Sequence, residues 1–170
     1  FEKFSDETLL KELYASADIA LLPYRNIEQI SSGNLAEAVG FGKPVLATEF
    51  AHARELLYPG NLKIAKKQLK SGHELETRGI LVKLKGKYKN LPDVDNLTEG
   101  LEFLVFNENA RVQIGKNARQ RGYEMSWPNV SRELVQYIGP ILEAKFVIKS
   151  APVIVKKDKE AEGKSEDKKE

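Results

Sequence analysis

Along the N-terminal part of the chain the apolar and polar residues change period repeatedly, and each change marks an element. Leu9, Leu10, Leu13, Tyr14 and Ala17 recur at helical spacing behind Ser5 and Asp6, either of which can accept a hydrogen bond from the first free amides. With Ser5 as the cap, Phe4 and Leu9 form a hydrophobic staple. The run from Asp18 to Tyr24 is then short, apolar and ended by Pro23, as expected of a buried parallel strand. A polar loop from Arg25 to Ser32 leads to Gly33, which opens a second helix, Asn34 to Phe41, stopped by Gly42. Lys43 to Thr48 reads as another buried strand with Pro near its start, and Phe50 to Leu57 as a short helix broken by Pro59 and Gly60.

Beyond this point the pattern weakens and returns. Residues 61–78 are polar and Lys-rich without clear periodicity, and read as an inserted surface excursion before the strand Gly79 to Leu84. Helices follow: Val94, Leu97, Leu101, Leu104 and Val105 space the first, Asn107 caps a second to about Gly122, and Ser126 caps a third. The third is expected from Pro128 to about Phe146, bent at Pro140. Strand and helix alternating across short connections predict an α/β fold, a Rossmann-like parallel sheet with flanking helices that binds ligands beyond the carboxyl ends of its strands. The expected folded part is 1–147; residues 148–170 hold an apolar patch, Ala151 to Val155, and a disordered charged tail.

Composition narrows the class. The chain has 170 residues, 41% of them hydrophobic, which is enough for a core, and 31% charged. The tail from Lys156 to Glu170 inflates that second figure, with six Lys against six acidic residues. The absence of Cys excludes disulfides, a thiol nucleophile and Cys-based metal sites. No apolar run approaches the roughly 20 residues needed to span a bilayer, and no signal-peptide pattern stands at the start, so a soluble, cytoplasmic domain is expected.

Chemistry concentrates at Gln29-Ile30-Ser31-Ser32-Gly33-Asn34-Leu35-Ala36-Glu37. A strand has just ended there and a helix begins, so free amides and the positive end of the helix dipole converge on a site for phosphate. Gly33 admits an anion close to the backbone, and Glu37, about one turn on, can accept two hydrogen bonds from vicinal hydroxyls such as those of a ribose. A purely structural alternative stays open, in which Ser32 only caps the helix and Glu37 is a solvated charge.

Other candidates favour bland roles. Asp93-Val94-Asp95 has metal-binding spacing but precedes an amphipathic helix, which suits capping; His52 suits packing or the surface more than substrate contact; Trp127 is expected in the core. Gly40-Phe41-Gly42 stops a helix and is no dinucleotide fingerprint. Residues 61–89 carry eight Lys and Arg78 against Glu74 and Glu76, a net of +7. Such a patch suits an anionic membrane surface or a phosphorylated acceptor, or else solvated Lys guarding an edge hairpin. With Tyr88 alone interleaved as a stacking platform, nucleic acid is not expected.

Several of these segments together carry a resemblance. Tyr14-Ala15-Ser16-Ala17-Asp18-Ile19-Ala20-Leu21-Leu22-Pro23-Tyr24, the Glu28 to Leu35 loop, Glu37-Ala38-Val39-Gly40-Phe41-Gly42-Lys43-Pro44-Val45-Leu46-Ala47-Thr48 and Ala53-Arg54-Glu55-Leu56-Leu57 resemble the donor-binding domain of GT-B-fold retaining glycosyltransferases of family four, the group 1 type. Gly79-Ile80-Leu81-Val82 and Met125-Ser126-Trp127 are similar as well. The resemblance implies the C-terminal, nucleotide-sugar-binding domain, present in part, of an enzyme that transfers a hexose from a nucleoside-diphosphate sugar to a hydroxyl acceptor without a metal or other cofactor. It places Glu37 on the ribose, and Gly33 and Asn34, with Ser32 and Leu35, around the diphosphate.

The family's sugar-binding Glu falls on Gln29, which can bond hydroxyls but offers no charge to an oxocarbenium ion. The family's Arg/Lys pair and its N-terminal acceptor domain are not in this chain, so the isolated chain is expected to be an inactive fragment. Two rivals remain open: a non-catalytic module that holds a nucleotide sugar or a partner, and a nucleotide-sugar epimerase or hydrolase on the same architecture.

Overall fold

Asp6 opens the first helix, α1 (Glu7–Ser16), by accepting the Leu9 amide at 2.8 Å. The computed structural model describes residues 6–85 and 91–145, so the Phe4 staple, the Ser5 cap, Tyr88, the apolar patch and the charged tail lie outside the described residues. The chain divides into two units, Phe1–Glu133 and Leu134–Glu170.

In the first unit β1 (Ala20–Leu22), α2 (Gly33–Gly40), β2 (Val45–Thr48) and α3 (Ala51–Leu56) follow in the expected order. The strands are shorter than the apolar runs, because flanking amides turn to other partners, Tyr24 to the Leu22 carbonyl and Lys43 to that of Ala38, both at 2.9 Å. Pro44 lies just ahead of β2, and its carbonyl accepts the Ala20 amide at 3.0 Å. Gly42, at a φ of 71°, closes α2 in the left-handed conformation that glycine adopts without strain.

The segment 61–78 departs from expectation. It holds a helix, α4 (Leu62–Ser71), where an irregular excursion was predicted. Asn61 caps it by accepting the Lys63 and Ile64 amides, and Gly72 ends it. Its apolar stripe is only Leu62, Ala65 and Leu69, thin enough to be hidden among lysines, yet all three join the core. Leu75 and Thr77 are buried on the way to the next strand.

That strand is β3 (Gly79–Val82), and beyond Lys83 a small antiparallel pair forms from β4 (Leu84–Lys85) and β5 (Leu91–Pro92). Then come α5 (Val94–Phe106), α6 (Glu108–Glu124) and α7 (Trp127–Lys145), the last crossing from the first unit into the second and containing Pro140. Asp93 caps α5 as expected, accepting the Asn96 amide, with the Lys85 ammonium 2.7 Å away. Asn107 behaves otherwise: its side-chain amide donates to the Phe103 carbonyl at 2.8 Å, so it finishes α5 and leaves α6 without a side-chain cap. Ser126 accepts the Asn129 and Val130 amides through its backbone carbonyl, and α7 begins at Trp127.

The sheet is parallel, ordered β1-β2-β3, with Leu46 paired to Leu21 on one side and Ile80 on the other. Strand alternation sorts the core onto two faces. Val45 and Ala47 pack with Leu35, Ala38, Val39, Ala53 and Leu57 from α2, α3 and its C-cap, whereas Leu46 packs with Ala65, Phe103, Leu104 and Ile114 from α4, α5 and α6. All four residues of β2 are buried, which is why that run reads as continuously apolar.

Glycines fix the distance between α2 and α6. A Cβ on Gly122 would fall 2.6 Å from the Gly40 Cα, and one on Gly115 would fall 2.8 Å from the Gly42 carbonyl oxygen. Trp127 is not in the core: it is 83% exposed, and Met125, two residues earlier, packs against the core in its place.

Candidate functional site

The loop between β1 and α2 stands at the carboxyl edge of the sheet and is held there by the turn that follows β2. Thr48, the last residue of β2, donates its hydroxyl to the Tyr24 carbonyl. The first amides of α3, which have no side-chain cap, donate to the loop: Ala51 to the Ile27 carbonyl at 2.9 Å and His52 to that of Gln29 at 3.1 Å. The His52 ring then accepts the Ser32 amide on Nδ1 at 2.9 Å. Orphan donors of one helix are thereby satisfied by the carbonyls of the loop that leads to the next.

Ser32 is the N-cap of α2; its hydroxyl accepts the Leu35 amide at 3.2 Å and lies 3.3 Å from the Tyr24 hydroxyl. Tyr24, stacked on Phe50, also accepts from the Asn34 side-chain amide at 3.2 Å. Tyr14 donates to the Asn34 carbonyl at 3.0 Å. Burial first, then the negative charge of Glu37, pushes the Tyr14 phenol up to about 12, so it remains a donor throughout the physiological range.

These bonds decide which amides face outward. Those of Ser32 and Leu35, expected in the phosphate cradle, are engaged by His52 and by the Ser32 hydroxyl. The amides of Gly33 and Asn34 have no acceptor among the described residues. Both sit at the positive end of α2, and a Cβ added to Gly33 would meet nothing within 4 Å, so an anion has access to the backbone there. Glu37 is exposed one turn on. The Gln29 side chain is folded onto its own loop, donating to the Ser31 carbonyl at 2.9 Å. A site made this way offers two amides and a helix dipole to an anion, with a carboxylate placed for hydroxyls.

Tyr14, Tyr24 and His52 were not legible as parts of this site. Their signal in the sequence is slight, two tyrosines among six and one His after a strand; only the fold brings positions 14, 24 and 52 to the same helix start.

A cavity of about 400 Å³ opens elsewhere, among Ala17, Asp18, Lys43, Arg111, Lys116 and Arg119 at the amino edge of the strands. Three of its four cations serve structure. Lys43 donates to the Ala15 carbonyl, Arg119 to that of Gly40, and Arg111 to those of Leu104 and Val105, so the C-terminal carbonyls of three helices are met there by positive charge.

The chain superposes on a sucrose-phosphate synthase from Thermosynechococcus elongatus with a TM-score of 0.57 and 19% sequence identity, covering 82% of this chain and 29% of that one. The fold is that of a GT-B glycosyltransferase domain. No protein-family model and no curated protein matches the sequence. The likeness speaks for architecture, since at this identity it carries no residue-by-residue roles. Among the described residues no helix is long and apolar enough to cross a membrane.

Proposed function

We propose that this chain is the later part of the nucleotide-sugar-binding domain of a retaining glycosyltransferase of the family-four, group 1 type. The observation that supports this reading best is the pair of amides, Gly33 and Asn34, that have no acceptor among the described residues, at the start of α2 beyond the carboxyl end of β1. In this reading they hold the diphosphate of a nucleoside-diphosphate hexose, and Glu37 accepts the ribose hydroxyls. Gln29 swings from the Ser31 carbonyl to the sugar; being neutral, it orients hydroxyls without stabilising positive charge in the transition state. The diphosphate leaves on the face from which the acceptor hydroxyl attacks, and the acceptor half belongs to a domain outside this chain. No described group is placed as a catalytic residue.

Glu37→Ala tests the assignment in the intact gene product. A carboxylate that accepts hydrogen bonds contributes about 1.5–3 kcal/mol, so affinity for uridine or guanosine diphosphate should fall roughly ten- to a hundredfold by calorimetry. Unchanged affinity would sink the ribose role. Turnover with an acceptor separates a transferase from a non-catalytic module, and release or isomerisation of sugar without one would point to the hydrolase or epimerase.

The same proposal includes a place near an anionic membrane. Lys63, Lys66, Lys67 and Lys70 line one side of α4, and of these only Lys66 is ion-paired among the described residues, to Glu99 at 2.6 Å. Three unpaired ammonium groups on one helix face suit a bilayer surface bearing anionic headgroups.

A further inference from the structure

We propose that His52 is the positioning residue of the donor loop, acting as a neutral imidazole protonated at Nε2. The inference rests on the reading of that loop as a nucleotide-sugar site, and it adds a residue that contacts the loop and not the substrate.

The tautomer follows from the geometry. The Ser32 amide can only donate, so Nδ1, 2.9 Å away, must present its lone pair, and the ring's proton sits on Nε2. The same residue's backbone amide donates to the Gln29 carbonyl at 3.1 Å. His52 therefore grips the loop at both ends of its last stretch, Gln29 and Ser32, from the first turn of α3. Between these points lie Ile30, 83% exposed, and Ser31, also exposed, so packing does little to hold the segment. The grip has a selective effect on the anion site. It removes the Ser32 amide from the set of free donors and sets the direction in which the chain enters α2, so the amides of Gly33 and Asn34 are the ones presented. Loosened, the entry has more conformations to lose when a diphosphate binds, and affinity falls by that ordering cost.

A positioning role differs from a packing role in what rescues it. In His52→Asn the side-chain oxygen lies at the reach of Nδ1 and can accept the Ser32 amide; in His52→Gln the acceptor lies one atom further out, at the reach of Nε2; His52→Ala has none. Loss of one such hydrogen bond should lower affinity for uridine or guanosine diphosphate about three- to tenfold in the Ala and Gln variants, and the Asn variant should stay near wild type. Affinity in the Asn variant as low as in Ala would overturn the positioning role.

Nitrogen-15 spectroscopy of the uniformly labelled protein at pH 8 reads the latch without any ligand. With only His52 and His73 present, and His73→Gln to assign them, the His52 signal should show an unprotonated Nδ1 and a protonated Nε2. The Ser32 amide proton should shift upfield in His52→Ala and not in His52→Asn. A protonated Nδ1 would refute the latch outright. If wild type bound neither nucleotide while the spectra came out as expected, the donor reading would fall and the latch would stand as loop architecture, which separates the two failures.

Discussion

Gly122→Ala puts the seating of α2 on α6 to a quantitative test. In an exposed helix this substitution stabilises by up to about 1 kcal/mol, since Ala loses less backbone entropy than Gly. Here the added Cβ would stand 2.6 Å from the Gly40 Cα and 2.9 Å from the Val39 carbonyl oxygen. Both are backbone atoms that no rotamer change can move aside. Restoring an ordinary contact of 3.4 Å to that Cα requires the helices to part by about 0.8 Å. Overpacking of this kind costs about 1–3 kcal/mol, so the net change should be a loss of roughly 1–2 kcal/mol, or about 3–8 °C in Tm.

Gly40→Ala is the matched control. It lies on the other side of the same contact, but its own Cβ would meet nothing within 4 Å, so it should be neutral or stabilising by about 0.5 kcal/mol. Urea denaturation with a constant m-value measures both. A Gly122→Ala protein as stable as wild type would refute the argument that these glycines set the spacing between α2 and α6. Because α2 carries the free amides, the same variant should also bind nucleoside diphosphates less tightly.

Ser32→Ala removes the α2 cap and should cost about 1 kcal/mol in chemical denaturation, with Ser32→Thr recovering most of it. Asp93 is held below its ordinary value of 3.8, first by the Lys85 ammonium, so its contribution is present above about pH 4 and lost as pH falls through its folded value. Asp93→Asn should therefore destabilise at pH 7, with the gap to wild type closing as acid protonates the wild-type carboxyl; a gap independent of pH would contradict the pairing. Charge reversal of Lys63, Lys67 and Lys70 should abolish sedimentation with phosphatidylserine-containing vesicles, at about 1 kcal/mol per Lys, while neutral vesicles bind neither protein. Equal sedimentation of the two would remove the membrane proposal.

How far the site was legible depends on how local its parts are. The start of α2 shows in nine consecutive letters, Gln29 to Glu37, because a cap, a glycine and a helix dipole are properties of neighbours in sequence. The same letters suggested a cradle of Ser32, Gly33, Asn34 and Leu35, whereas packing reduces the acceptor-free set to the middle two. Which amides stay free depends on the Ser32 hydroxyl, which belongs to the loop itself, and on a ring from α3, which is distant from it in sequence.

The strands were likewise readable as short continuous apolar runs, since both faces of the sheet are covered, and most helices from apolar residues three and four apart. Helix α4 escaped because three small or partly buried contacts sufficed to seat it, too few to stand out among lysines. Trp127 was misplaced for the converse reason: an aromatic side chain signals affinity for a core but not that a core lies within its reach. Local pattern therefore suffices for the strands β1 to β3 and most of the helices, the parallel α/β class and the position of the α2 start. The two-sided sorting of the core, the glycine-to-glycine contact under α2 and the His52 grip on the loop ahead of α2 arise only when distant segments meet, because steric and hydrogen-bond complementarity are properties of pairs.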